Sequence, residues 1–357
     1  NPLMDKTLSL AAIQMDVNPA PRPERLGRAG LILEQAAAAG ARLAVLPELF
    51  NTGYAYVDEN YARAESLDGP TLGWLKATSA RLGLHLAGSL LLRDGDEIYN
   101  ALLLVAPDGR TWRYDKRYPW SWERAYFCPG QGATVAETSL GRIGLMICWD
   151  VAHRNLWREY AGRVQLMLVC SCPPDASNPT YAFTDGRSFS LEDAGPLMRG
   201  MRDTGRHVFG RMLDEQAAWL GVPAACSVGC GQFHSTLPRS RALAALYLPV
   251  MPWIIRHLAI NGLKALPLSL TCPMIPGCKL VDGDGSVLAE RSQAEGEGFT
   301  LASVSLPQAP PQPQGPQPPR RADWMTYFLS DGLLPWLTAS LYERKKDYYG
   351  TSPYSLP

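Results

Sequence analysis

The apolar positions along the first three hundred residues change period repeatedly, and each change marks an element. Leu8 to Met15 is a nearly unbroken apolar run of strand length, which suits a strand buried on both faces. Pro23 to Ala39 switches to helical spacing and is closed by Gly40, and Leu43 to Leu46 returns to a short strand. Thr71 to Leu82 is a second helix ending at Gly83. His85 to Leu92 and Asn100 to Ala106 read as strands joined through Asp94-Gly95-Asp96. Gly141 to Ile147 is a strand, Arg154 to Ala161 a helix and Leu166 to Val169 a strand, and a longer helical pattern runs from about Ala194 to Leu220. Ala224 to Val228, Lys279 to Val281 and Thr300 to Val304 are strands, with turn sequences at Pro107 to Arg110 and Asp282 to Gly285. Strands and helices interleaved in this way predict an α/β fold with sheets covered by helices.

Two segments depart from the pattern. Pro307 to Pro319 is about half proline, with glutamine between, and predicts an extended linker over 307–320 with no power to form a core. It separates a domain over 5–306 from a tail over 321–357 that regains apolar content in Trp324 to Leu329 and Leu333 to Leu337. The second departure, 234–277, is an apolar insert punctuated by Pro249, Pro252, Pro267, Pro273 and Pro276. Its longest charge-free run is too short and too interrupted by proline to span a bilayer.

Charge sharpens this picture. The chain of 357 residues carries 34 Lys+Arg and 34 Asp+Glu, so its net charge is zero and a global polyanion binder such as a nucleic-acid protein is excluded. Yet no Asp or Glu occurs from Gln216 to Val281, while Arg239, Arg241, Arg256, Lys264 and Lys279 do. An apolar, Trp-bearing and exclusively basic segment suits an anionic membrane surface, through 239–270, and the tail over 324–346 repeats the apolar, Trp-bearing theme and ends in Arg344-Lys345-Lys346. Burial of insert and tail against each other, or in an oligomer interface, is the competing expectation.

Eight cysteines in a chain of this length do not make a disulfide scaffold, and their spacing does not match zinc knuckles, so no metal is expected. The first residues lack the features of a signal peptide, which points to a reducing, cytoplasmic setting with peripheral membrane association as an added expectation.

Three reactive side chains each follow an apolar strand: Glu48 in Leu46-Pro47-Glu48-Leu49-Phe50, Lys116 in Tyr114-Asp115-Lys116, and Cys148 in Met146-Ile147-Cys148-Trp149-Asp150. Loops at strand ends are where such folds build active sites. In this order, the three motifs resemble those of the nitrilase (carbon–nitrogen hydrolase) superfamily. So do Asn51-Thr-Gly-Tyr54, Tyr99-Asn100-Ala101, Phe127-Cys-Pro-Gly130 and the late hairpin Cys278 to Leu288. The resemblance covers about residues 6 to 306 less the insert.

It implies a four-layer αββα sandwich, assembly into dimers or higher homo-oligomers through helical layers, and no cofactor. It also implies a Glu-Lys-Cys triad with Cys148 as nucleophile, Glu48 as base and Lys116 as oxyanion stabiliser. Glu123 matches the family's second glutamate, which orients lysine or substrate. Trp120, Trp122 and Trp149 are expected to line the pocket, with Tyr54 and His153 as further substrate-binding groups. The implied reaction is hydrolysis of a small-molecule amide or N-carbamoyl compound through a Cys thioester. Asp150, rather than Glu, after Trp149 favours this over a nitrile substrate. A nitrilase is one alternative, and a membrane-attached scaffold or binding protein retaining the fold is another. The family's A-x-E-N and N-R-x-G segments are replaced here by Met212 to Ala217 and Ala225 to Gly229, which removes an asparagine from the pocket wall.

Overall fold

The computed structural model describes residues 6–175, 179–190, 193, 203–249 and 251–351. Twelve strands join in one hydrogen-bonded sheet that falls into two halves. The first half pairs Thr111–Asp115, Glu97–Val105, His85–Asp94, Leu43–Val45, Lys6–Asp16 and Gly298–Leu306. The second pairs Val135–Glu137, Arg142–Ile147, Leu166–Ser171, Ala224–Cys230, Cys278–Val281 and Val287–Arg291. A short parallel register, Met15 with Gly229 and Asp16 with Cys230, stitches the halves at one end.

The alternation of side chains explains why the halves stack. In Lys6–Asp16, Leu8, Leu10 and Ala12 pack into the core shared with the second half, and Ala11, Ile13 and Met15 pack into the core under the helices Arg22–Ala38 and Pro70–Leu82. Leu102 and Leu104 of Glu97–Val105, in the same half, take the first side and Ala101, Leu103 and Val105 the other. Both faces are therefore apolar, as a sheet between two layers requires. The helices Arg154–Tyr160 and Thr204–Leu220 cover the outer face of the second half, the latter with a wider turn over His207–Met212. The result is the expected αββα sandwich. The part of the predicted 194–220 helix before Asp203 lies outside the described residues.

The insert folds as an annex. Gln232–Thr236 and Ser269–Pro273 pair antiparallel, and Thr180–Ala182 and Ser188–Ser190 extend them into a four-stranded sheet. The helices Ser240–Tyr247 and Trp253–Asn261 connect the two insert strands, breaking around Pro249 and Pro252. The strands at 180–190 have no counterpart in the sequence reading, because each is three residues long and gains its partners only from the insert.

The proline-rich segment is laid down as a strap. Gln317 bonds Arg154 and Gln216 through side chain and backbone, Trp219 Nε1 donates to the Gly315 carbonyl, and Gln165 Nε2 donates to the Pro307 carbonyl. The strap leads into the tail, a helix over Trp324–Thr351 with a wide turn at Phe328–Leu333. In it Tyr342 is fully buried, accepting from the Ile98 N–H and donating to Glu97. Among the described residues no helix is long and apolar enough to cross a membrane.

Candidate active site

Each of the three reactive residues sits where a strand stops. Lys116 follows Thr111–Asp115, its N–H bonded to the Asn100 carbonyl and its carbonyl to the Gly130 N–H. Cys148 follows Arg142–Ile147 at φ 49°, and Leu49, next to Glu48, has the same φ. Non-glycine residues held in this left-handed region carry local strain that the surroundings must hold in place, and such strain gathers at functional sites. At the cysteine, Asp150 does the holding. Its buried carboxylate accepts from the Ile147 N–H at 3.0 Å, the Tyr118 N–H at 2.9 Å and the Tyr114 hydroxyl at 2.8 Å. At the glutamate, the buried Arg25 guanidinium donates to the carbonyls of Phe50, Asp16 and Asn18.

Lys116 lies between two carboxylates with no solvent exposure. Its Nζ is 2.8 Å from Glu48 Oε1 and 2.7 Å from Glu123 Oε2. Glu48 also accepts from Asn100 Nδ2 at 2.8 Å and, through Oε2, from the Cys172 N–H at 3.0 Å. Glu123 accepts from the Tyr54 hydroxyl at 2.5 Å and the Trp120 N–H at 2.6 Å.

Burial and charge set the protonation states. Burial alone would lower the Lys116 pKa, but the Glu123 and Glu48 carboxylates outweigh it and raise it well above its ordinary value, so the ammonium is fixed. Burial raises Glu123 to about 7, opposed by Lys116 and reinforced by the Glu48 charge. Burial also holds the Cys148 thiol well above its ordinary value; the Glu48 charge adds to this and Lys116 opposes it. The resting nucleophile is therefore a thiol with carboxylates at hand, an arrangement that needs a base rather than a preformed thiolate.

Cys148, Trp120, Trp122 and Trp149 line one cavity of about 280 Å³. Tyr54 and His153 do not. Tyr54 sits behind Glu123, with its hydroxyl spent on that carboxylate. His153 faces the tail: its ring stacks on Tyr118 at 3.5 Å, Nδ1 meets the Trp149 carbonyl at 3.1 Å and Nε2 meets Asp331 at 2.9 Å. The five-residue spacing from Cys148 crosses the Cys148–Ala152 turn and carries the ring to its outer side.

Sequence reasoning did not assign Asn100, Asp150 and the Cys172 amide to the site, although Asn100 and Asp150 both stood inside quoted motifs. It also missed the tail, which roofs the cavity with Met325, Phe328, Leu329, Leu333 and Leu334. The tail is pinned there by Asp331 on Trp149 Nε1 at 2.7 Å and by Ser330 on Ser121 at 3.3 Å. All eight cysteines are free, and no group of three or more metal-ligating side chains occurs among the described residues.

A sequence profile described as carbon–nitrogen hydrolase matches residues 9–311. The chain belongs to the carbon–nitrogen hydrolase family. Its curated relatives include a protein named nitrilase from Pyrococcus abyssi, 30% identical over 40% of this chain and 56% of its own length. They also include an omega-amidase of Danio rerio, 31% identical over 48% of this chain and 64% of its own. The chain thus matches between half and two thirds of these relatives. Among solved structures, a carbon–nitrogen hydrolase superfamily protein of Xanthomonas campestris superposes with a TM-score of 0.59 at 19% identity, covering 84% of this chain and 91% of that one. An amidase of Nesterenkonia superposes at 0.58 and 19%, covering 84% and 90%. At these identities the superpositions establish the shared fold, a nitrilase-like αββα sandwich.

Proposed function

We propose that the protein hydrolyses the C–N bond of an amide or N-carbamoyl compound through a thioester on Cys148. The observation that carries this is a buried Lys116 shared by Glu48 and Glu123 beside a protonated cysteine on a left-handed turn. The Nesterenkonia amidase, described with covalent addition at its active-site cysteine, supports the reading, as do the omega-amidase relatives.

Glu48 Oε2 takes the thiol proton as Sγ attacks the carbonyl carbon. The oxyanion gathers at the third Lys116 N–H, the two others being spent on the glutamates, and at the Trp149 backbone N–H. The C–N bond breaks as the nitrogen takes the proton from Glu48, releasing ammonia or an amine. Water then loses a proton to Glu48 and attacks the thioester; Sγ departs, recovers that proton, and the carboxylic acid leaves. Glu123 holds the ammonium in place throughout. A nitrile would enter by the same attack, and the Pyrococcus relative keeps that reading in the test.

The test is a panel of amides, carbamoyl compounds and nitriles, with intact-mass detection of an acyl adduct on Cys148. Cys148→Ala should lose the adduct and at least about a thousandfold in turnover; a variant that keeps turnover close to wild type on any substrate sinks the assignment. Acid and ammonia from a nitrile would move the reading to a nitrilase.

We further propose that the annex meets an anionic bilayer surface. Ile255, Ile260 and Leu263 are exposed at 57%, 70% and 55%, beside exposed Arg256 and Lys264. A short helix with this outer face suits the lipid interface.

A further inference from the structure

The cavity in front of Cys148 is unusual in what its wall lacks. No Asp, Glu, Lys, Arg or His lies among its described lining residues. The polar groups on the wall are also spent on one another. The hydroxyls of Ser121 and Ser330 pair at 3.3 Å, those of Thr204 and Thr326 at 3.2 Å, and Tyr181 bonds Tyr247. Each pair except the tyrosines joins the tail to the body, so these hydroxyls close the wall instead of reaching into the cavity. Trp149 Nε1 is spent on Asp331, and among the buried polar atoms of the described wall the indole N–H of Trp122 is a donor with no acceptor. Beyond it the wall is apolar, formed by the insert through Leu243, Leu246 and Leu270 and by the tail through Phe328, Leu329 and Leu333.

A carboxylate or ammonium carried into such a space would lose its hydration without meeting an opposite charge, which is strongly unfavourable. Water is a poor occupant for the same reason, since it too needs polar partners. An alkyl chain is favoured there, and each buried methylene adds to affinity.

We propose that the substrate is an uncharged amide carrying an extended apolar chain, its amide at Cys148 and its chain between insert and tail, with the Trp122 N–H donating to a neutral oxygen near the reacting bond. The proposal rests on the hydrolase reading and specifies its substrate class. Leu246, at 39% exposure on the Ser240–Tyr247 helix, and Phe328, at 52% on the tail, stand at the mouth, so the chain would enter between annex and tail.

The test compares propanamide, hexanamide and octanamide with the monoamide of octanedioic acid. The last has octanamide's length and a terminal carboxylate. The wild-type protein should gain about fourfold in kcat/KM for each added methylene that is buried, and the carboxylate-terminated amide should fall at least tenfold below octanamide. A flat chain-length profile, or the carboxylate compound equalling octanamide, overturns the proposal while leaving the hydrolase reading intact. Leu246→Arg, at a mouth position that can carry its charge in water, should reduce the octanamide-to-propanamide ratio. An unchanged ratio with circular dichroism unchanged counts against it. Binding to Cys148→Ala, followed by tryptophan fluorescence, separates the two readings. Saturable binding of octanamide with no turnover of any amide by wild type would retain the apolar pocket and reject the hydrolase. No saturable binding of octanamide would reject the pocket.

Discussion

Glu123 concentrates the electrostatic cost of the site in one side chain. It is buried, it neutralises Lys116 jointly with Glu48, and its pKa is raised from an ordinary 4.5 to about 7. A raised carboxylate pKa means that the folded protein binds a proton where the unfolded chain has already released one. Stability therefore falls as pH rises from about 4.5 to about 7, and levels off above, where the folded protein carries the buried charge in full. Denaturation midpoints at pH 5 and pH 8 should differ less in Glu123→Gln than in wild type. Equal differences in the two proteins would show that Glu123 does not titrate in this window. The same variant should lose activity with Lys116 held by a single carboxylate. The uncharged amide retains the contacts to Tyr54 and to the Trp120 N–H only in part, because its nitrogen is a donor facing donors.

At the scale of elements, the site depends on turns that clamp strand ends. The Phe127 to Gly130 turn is one. Gly130 packs against the lysine-bearing strand so closely that a Cβ there would lie 2.3 Å from the Asp115 carbonyl oxygen and 2.6 Å from the Asp115 Cβ. Gly130→Ala must push the backbone next to Lys116. The expected cost is about 1–3 kcal/mol of stability and a drop in kcat larger than any rise in KM, because the displaced group acts on the developing charge. Urea denaturation and steady-state kinetics check both; a variant with wild-type kcat would show that the clamp is not what places the lysine.

This clamp also shows what was legible in the sequence. Phe127 to Gly130, Tyr99 to Ala101 and the stretches around Glu48, Lys116 and Cys148 are short, and each carries its own backbone requirement, so they could be read in isolation. The strand Lys6–Asp16 and the helix Arg22–Ala38 were equally plain, since their periods are local. What could not be read were meetings between distant segments: Asn100 on Glu48, the Cys172 amide on the same carboxylate, Asp331 on Trp149 and His153. Tyr54 and His153 were misplaced because nearness along the chain does not say which side of a turn a ring occupies. The strands at 180–190 were invisible for a related reason: three residues have no period until a partner strand gives them one.

The molecule as a whole is a sandwich with two additions, annex and tail, that meet over one end of it. Both were apolar and basic in sequence, with burial against each other and contact with a membrane as rival expectations. Leu243, Tyr247, Leu329 and Leu334 now stand in one buried cluster, so mutual burial accounts for one face of the annex. The opposite face keeps Ile255, Ile260 and Leu263 in solvent. Incubation with vesicles containing phosphatidylserine, followed by flotation, should carry the protein to the lipid fraction at low salt and less of it at 0.5 M salt, because the basic contribution is screened. Ile255→Ser/Ile260→Ser should remain at the bottom of the gradient. Wild type that stays with the double variant ends the membrane reading.

The order of parts along the chain has a consequence for biosynthesis. Glu48, Lys116 and Cys148 leave the ribosome long before Met325 to Leu334, which reach the cavity only after the strap has been made. Each nascent molecule therefore passes through an interval in which the sandwich can form while its apolar chamber stands unroofed. Exposed surface of that kind is what drives association of incomplete chains. Translation pauses inside the tail would lengthen that interval, so the yield of active protein should depend on how quickly the codons of the tail are read.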